Sequence, residues 1–314
     1  MTRHPAKLLA AAREGNRTAL ARLLSMVERG GADAREVGRL THPLGGHART
    51  IGLTGAPGAG KSTLTSALVG AIRHDGLDVA VLAIDPSSPF SGGAILGDRV
   101  RMGEHALDEG VFIRSMATRG HLGGLALATP EAIRVLDATG HERILVETVG
   151  VGQVEVEVAS SADTTIVVVN PGWGDEVQAA KAGLMEIADV FVINKADRVG
   201  AADTRRDLEQ MLALSPGRDG WSPPIVETVA TDGRGVDELW SALADHERHL
   251  ASTGLLERRR VERLDRELRA IIAERLHERA LSVCTGEEWE RLQAEVAARR
   301  LDPWSASDRL LAGA

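Results

Sequence analysis

Seven short apolar runs constrain this chain more than any other feature. "TIGLTG", "VAVLAID", "VFIRSM", "RILVETV", "TTIVVVN", "VFVINK" and "PIVETVA" recur between residues 50 and 230, separated by stretches long enough for helices. A strand that is apolar at every position is buried on both faces, and helix-length crossovers join strands that run the same way. The pattern predicts a doubly wound α/β fold on a mainly parallel sheet.

The flanks read differently. Residues 1–44 place Leu8, Ala12, Leu20, Leu23 and Leu24 at helical spacing and end in the turn-rich "THPLGGHART", a helical lead-in. After Gly235 no further strand pattern appears. His246 and His249 of "HERH" fall on one turn of a helix expected to be solvated. Beyond it, Val261, Leu264, Leu268, Ile271 and Ile272 recur at near-heptad spacing among Arg and Glu. A lone helix of that kind needs a surface for its apolar stripe, so self-association through this region is expected.

Composition excludes some partners. A net charge of -8 argues against nucleic acid or an anionic membrane, which need clustered cations. The absence of Tyr leaves few platforms for stacking bases. Cys284 is the only cysteine, so no internal disulfide can form and a reducing, cytoplasmic setting is expected. The N-terminal stretch has no apolar run of signal-peptide or membrane-span length.

The first chemical motif is "GAPGAGKS", between the run "TIGLTG" and a helical stretch. Gly55, Ala56, Pro57, Gly58, Ala59 and Gly60 form a loop whose N–H groups can turn inward around phosphate, and a helix N-terminus follows at Lys61, Ser62 and Thr63. Lys61 can reach the β- and γ-phosphates, and the Ser62 hydroxyl can bind Mg2+. The second motif is "VFVINKAD", in which Asn194 and Lys195 end a strand and Asp197 follows in the loop. A carboxylate there accepts paired N–H bonds from guanine, which adenine does not offer. A polar site left unmatched by the wrong ligand discriminates by roughly 10⁴ to 10⁵, so the expected ligand is GTP, and GDP after turnover.

Three further segments face the phosphate side. "AIDPSSPFSGGAILGDRVRM" carries Asp85 and Asp98 on a long Ser-, Gly- and Pro-rich loop. Two readings stand: both carboxylates bind Mg2+ or its waters, or Asp85 caps a turn and Asp98 pairs with Arg99 or Arg101. "RSMATRGHLGGLA" either shapes the γ-phosphate end or is a structural turn. In "ETVGVGQVE", Glu147 closes a strand where a carboxylate can hold a Mg2+-bound water or orient the attacking one, and Gly150 and Gly152 allow the following segment to move. Gln153 has two readings, a water-positioning group or a simple hydrogen-bonding one, and no Arg is identifiable as a finger.

Together with "NPGWGDEVQAAKAGLMEIADVFVINKAD", these motifs resemble those of the ArgK/MeaB family, G-protein chaperones of adenosylcobalamin-dependent methylmalonyl-CoA mutase. The resemblance covers nearly the whole chain and is strongest from Gly52 to Asp197. It implies a homodimeric GTPase of the SIMIBI class that gates cofactor loading and protects an acyl-CoA mutase. It also implies phosphate and Mg2+ roles for Lys61 and Ser62, a first switch at Asp85 and Asp98, a Walker B carboxylate at Glu147 and a guanine motif at Asn194, Lys195 and Asp197. Pro171 to Lys181 matches an extra switch toward the mutase; the plainer reading is a helix start capped by Asp175 with Trp173 packed locally. Val154, and "VATDGRG" with Val229, Ala230 and Thr231 at the base loop, depart from the family pattern. The expected domains are an N-terminal helical segment at 1–44, a P-loop GTPase domain at 45–250 and a helical dimerisation extension at 251–314. An ATP-dependent kinase of a transport system is the alternative "NKAD" speaks against, and a metallochaperone would need close-set Cys/His ligands that the chain lacks.

Overall fold

The computed structural model describes residues 4–86, 103–105, 107–118, 124–148, 160–172, 183, 186–214, 217 and 219–312. Each of the seven apolar runs forms a strand: β1 (Arg49–Gly55), β2 (Val79–Pro86), β3 (Val111–Thr118), β4 (Arg143–Thr148), β5 (Thr164–Val169), β6 (Val190–Asn194) and β7 (Ile225–Thr228). They build one sheet in the order β3-β2-β4-β1-β5-β6-β7, with every pairing parallel. All strands therefore point the same way, and their C-terminal ends share one edge. β1 is central, and the chain crosses to opposite sides of it to reach β4 and β5. In such sheets the ligand crevice opens at the C-terminal end of that strand.

Alternate residues of each strand feed two cores. Ile51, Leu53, Val81, Leu145, Ile166 and Val192 pack under α4 (Lys61–His74) and α7 (Val236–Thr253). On the other face, Ala80, Leu82, Ile84, Ile144 and Val146 meet α1 (Pro5–Arg13), α2 (Arg17–Arg29) and α5 (Gly124–Ala138). Farther along that face, Val167, Val169, Phe191 and Ile193 meet Leu208 of α6 (Ala201–Leu214). The N-terminal helices, joined by α3 (Gly31–Thr41), are thus a layer of the main core and not an appended lead-in. Leu23 and Leu24 of α2 are fully buried there. Arg114 of β3 donates to Glu28 at 2.8 Å, tying α2 to the sheet edge.

The contacts divide the chain into two units, 1–263 and 264–314. The division falls inside α8 (Leu255–Val283), later than the expected change at residue 251, because the root of this helix is fastened to the sheet. Leu255 and Leu256 are buried, and three arginines engage two buried aspartates that precede β5 and β6. Arg259 pairs with Asp189 at 3.1 Å, Arg260 with Asp163 at 3.0 Å, and Arg263 also with Asp163. Arg260 further donates to the carbonyls of Gly46 and Ala48. Nor is α7 solvated at His246. His246 is fully buried, with Nδ1 2.8 Å from Thr164 Oγ1 and Nε2 3.3 Å from Asp189 Oδ1. The second unit comprises the rest of α8, α9 (Glu287–Ala297) and α10 (Pro303–Ala312), whose buried contacts include Leu292 and Ala306. Leu264, Leu268 and Ile272 remain exposed along α8. Among the described residues no helix is long and apolar enough to cross a membrane.

Burial alone would raise the Asp163 carboxyl, but Arg263 and Arg260 outweigh it and hold the group at about 2, against an ordinary 3.8. A depressed folded pKa contributes stability that is complete above the unfolded value and is lost as pH falls through the folded one. The shift corresponds to about 2 kcal/mol. Replacing Asp163 by Ala leaves two guanidiniums without their carboxylate and is expected to cost about 3 kcal/mol, seen as a fall of about 6 °C or more in the thermal midpoint at pH 7. The gap between wild type and variant should narrow between pH 4 and pH 2. An unchanged midpoint at pH 7 would show that Leu255, Leu256 and the Arg259–Asp189 pair hold α8 without help from Asp163.

Candidate functional site

Residues 55–63 link β1 to α4 at the C-terminal edge of the sheet. Gly55, Gly58 and Gly60 all have positive φ, at 134°, 73° and 90°, conformations open to glycine that fold the loop back over the start of α4. Ala56, Pro57 and Gly58 form its outer rim, while Ala59, Lys61 and Ser62 are buried and Thr63 is half-buried. Lys61 Nζ donates to the carbonyls of Gly55 and Ala56 at 2.7 and 3.1 Å. The ammonium is thus stored on its own loop, beside the N-terminus of a 14-residue helix, where an anion gains most from both.

Glu147 comes to this loop across the sheet. It pairs in register with Leu53 of β1 and Ala83 of β2, so it leaves β4 directly beside the loop. Its side chain is 1% exposed, and Oε1 accepts a 2.5 Å hydrogen bond from Ser62 Oγ. Asp85 belongs to β2, two positions beyond the register partner of Glu147 and at the same edge. A buried hydroxyl and carboxylate in contact form an all-oxygen donor pair, which fits Mg2+; that ion commonly takes one or two carboxylates and fills its sphere with phosphates and water. Asp98, Gly150, Gly152, Gln153, Val154, Trp173, Asp175 and Lys181 lie outside the described residues, as do residues 119–123.

The guanine motif stands next to the phosphate loop. Asn194 ends β6, and its 2%-exposed side chain joins three segments. Nδ2 donates to Ala59 O at 2.9 Å, while Oδ1 accepts from Thr228 Oγ1 at 3.1 Å and from Ala230 N at 3.2 Å. Lys195 adopts φ 60° and donates from Nζ to Gly58 O at 2.6 Å, so two successive residues clasp the phosphate loop. Asp197 is exposed in the following turn, free of the core. Val229 and Ala230 are buried and Thr231 is exposed. The Val229–Arg234 bridge closes the loop "VATDGRG". The sequence thus leads to a site in which residues 55–63, Glu147, 194–197 and 229–231 share one edge. It does not reveal Thr228, whose partner lies 34 positions away; the only local signal is a hydroxyl at the end of an apolar run.

Comparison with known proteins accords with this geometry. The family model described as methylmalonyl Co-A mutase-associated GTPase MeaB matches residues 20–285. A Pyrococcus abyssi protein carrying a GTPase name is 49% identical over 308 residues, covering 97% of this chain and 95% of its own length. GTPase ArgK of Escherichia coli is 40% identical, covering 78% and 76%. The mouse mitochondrial methylmalonic aciduria type A homolog is 39% identical over 67% of this chain and 52% of its own. Among solved structures, one titled LAO/AO transport system kinase superposes with a TM-score of 0.74 at 28% identity, covering 99% and 97%.

Gly60 tests the join between the two loops. A Cβ there would lie 2.4 Å from Asn194 Nδ2, at a φ that side chains rarely adopt. Gly60→Ala should push Asn194 off Ala59 and weaken guanine-nucleotide binding at least tenfold by titration calorimetry. Wild-type affinity in that variant would show that the two loops bind independently.

Proposed function

The chain belongs to the family of methylmalonyl Co-A mutase-associated GTPases and is a GTPase, and from that premise we propose that it hydrolyses GTP with Mg2+ and thereby gates adenosylcobalamin loading and protection of an acyl-CoA mutase. The observation that carries the nucleotide half is Asn194, which holds the phosphate loop and the base loop in one piece with Asp197 beside them. The mutase half is supported by the family description and by the relation to the methylmalonic aciduria type A homolog. The client is methylmalonyl-CoA mutase or a mutase of related acyl-CoA chemistry, in a cytoplasmic setting.

In this reading the backbone from Gly55 to Thr63 cradles the phosphates. Lys61 exchanges the carbonyls of Gly55 and Ala56 for phosphate oxygens, placing its charge where negative charge collects during transfer. Ser62, Glu147, Asp85 and Asp98 would hold Mg2+ directly or through water, and the ion would supply electrostatic stabilisation of the triphosphate. Glu147 exchanges the Ser62 hydroxyl for a water proton, that of a Mg2+-bound water or of the water aligned for in-line attack on the γ-phosphorus. Asp197 accepts from guanine N1 and N2, Lys195 flanks the base, and residues 229–231 close its edge. The segment from Pro171 to Lys181 serves as the extra switch that answers the mutase.

Asp197→Asn should lose GTP affinity and favour xanthosine triphosphate, whose altered edge suits an amide; unchanged GTP binding would refute the base assignment. Glu147→Ala should still bind nucleotide but lose about 100-fold or more in phosphate release, and full turnover would remove Glu147 from the mechanism. The chaperone reading is tested by capture from native lysate with a nonhydrolysable GTP analogue: a cobalamin-dependent mutase should be retained.

The extension at 251–314 is proposed to make the homodimer through the exposed stripe Leu264, Leu268 and Ile272. Because the root of α8 belongs to the first unit, the informative variant replaces these three by Glu and leaves the root intact. It should sediment as a monomer with its nucleotide affinity preserved; a dimer would place the contact elsewhere.

A further inference from the structure

The edge of the sheet opposite the phosphate loop carries a cavity of its own. β1 and β4 both begin on an arginine, and Arg49 and Arg143 are register partners on these adjacent strands. Neighbouring strands lie about 4.8 Å apart, and like charges placed side by side repel. One carboxylate from α7 answers both: Glu247 Oε1 accepts from Arg49 Nε at 2.6 Å and Oε2 from Arg143 Nη2 at 3.4 Å. Arg143 also donates from Nη1 to Glu142 O at 3.2 Å. Two guanidiniums carry more N–H donors than these bonds use, and the rest meet no protein acceptor among the described residues. The neighbouring carboxylates are engaged elsewhere. Asp163 is held by Arg260 and Arg263, and Asp75 accepts from Trp240 Nε1 at 2.7 Å. Two cations therefore share one anion.

Both arginines line a cavity of about 220 Å3, whose remaining wall is largely apolar: Leu77, Leu243, Leu250 and Leu256 with the indole of Trp240. Arg143 Cζ lies 5.8 Å from the centre of that ring. We propose that the cavity binds a small monocarboxylate, its head on Arg49 and Arg143 and its short apolar or flat body against Trp240 and the leucines. The head follows from the arginines. Glu247 shows that the pair meets a planar two-oxygen acceptor, the partner that guanidiniums match best, and a second carboxylate gives each cation its own anion. The body follows from the wall, because a phosphate would turn hydrated oxygens toward leucine without partners for them. The size follows from the volume. A single water needs about 10–15 Å3, whereas drug-sized ligands take about 300–1,000 Å3, so the occupant has roughly five to ten heavy atoms. Its place gives binding a consequence: Leu250 lies near the end of α7 and Leu256 opens the root of α8, on either side of the turn at Gly254. An occupant buries apolar surface against both helices at once. None of these residues belongs to the nucleotide site, so the proposal stands apart from the reading of GTP hydrolysis.

The test measures binding to the full chain at fixed ionic strength, by ligand-observed NMR and by the dependence of the thermal midpoint on ligand concentration. The probes are butyrate and benzoate, their neutral amides butyramide and benzamide, and inorganic phosphate. Both carboxylates should bind saturably and raise the midpoint, at least tenfold more tightly than their amides or phosphate. Arg143→Gln removes one cation, and Ala244→Trp fills the cavity from an exposed position on α7. Each should weaken benzoate at least tenfold while guanine-nucleotide affinity stays at the wild-type value. If Arg143→Gln fails to fold, Ala244→Trp decides alone. Equal binding of acid and amide would leave only an apolar hole, and phosphate binding as tightly as benzoate would refute the apolar body. Wild-type benzoate affinity in Ala244→Trp would place the ligand elsewhere. No response to any probe would leave the cavity to water, and each of these four results overturns the proposal.

Discussion

The buried amide of Asn194 is the contact on which the site depends. Its three hydrogen bonds reach the phosphate loop at Ala59, the end of β7 at Thr228 and the base loop at Ala230. An amide presents a donor and an acceptor on one rigid plane, so no other small side chain can satisfy all three partners at once. In a buried setting each lost bond leaves a polar group unpaired, at about 1–3 kcal/mol. The arrangement is therefore close to all-or-none. The loop after β1 and the loop after β6 become one rigid surface, although β5 stands between the two strands in the sheet.

The sheet divides labour between its two edges. At the C-terminal edge, glycines of positive φ, the Lys61 ammonium and the Ser62–Glu147 oxygen pair come together, groups whose chemistry suits an anion and an oxygen-seeking cation. At the N-terminal edge, Asp163 and Asp189 are each surrounded by partners, and burial, which alone would raise their carboxyls, is outweighed by Arg and His neighbours that lower them. Saturated ion pairs of that kind hold architecture, and here they hold the root of α8. A carboxylate thus sits among groups that suit a ligand at one edge of the sheet and among arginines that hold architecture at the other, according to what faces it.

Much of this was legible in the sequence where the signal is local. All seven strands follow from continuous apolar runs, and the phosphate loop from glycines between a strand and a helix, because both patterns are written in neighbouring residues. What was not legible depends on distant partners. Nothing in "HERH" announces that His246 would be buried against Thr164 and Asp189. Nor does the N-terminal Leu spacing reveal that Leu23 and Leu24 complete the sheet's core. The end of the first unit at Arg263 follows from arginines meeting aspartates about 70 to 100 positions away, which periodicity does not encode. In the sequence Asn194 belongs to a base motif; its grip on Ala59 appears only in three dimensions.

The most direct measurement is calorimetric titration of Asn194→Ala with GDP and, separately, with pyrophosphate, which has no base. If Asn194 unites the two loops, both ligands should weaken by tenfold or more, because removing the amide releases Ala59 and the phosphate loop with it. Loss of GDP affinity with pyrophosphate binding intact would contradict the account and confine Asn194 to the base side of the site.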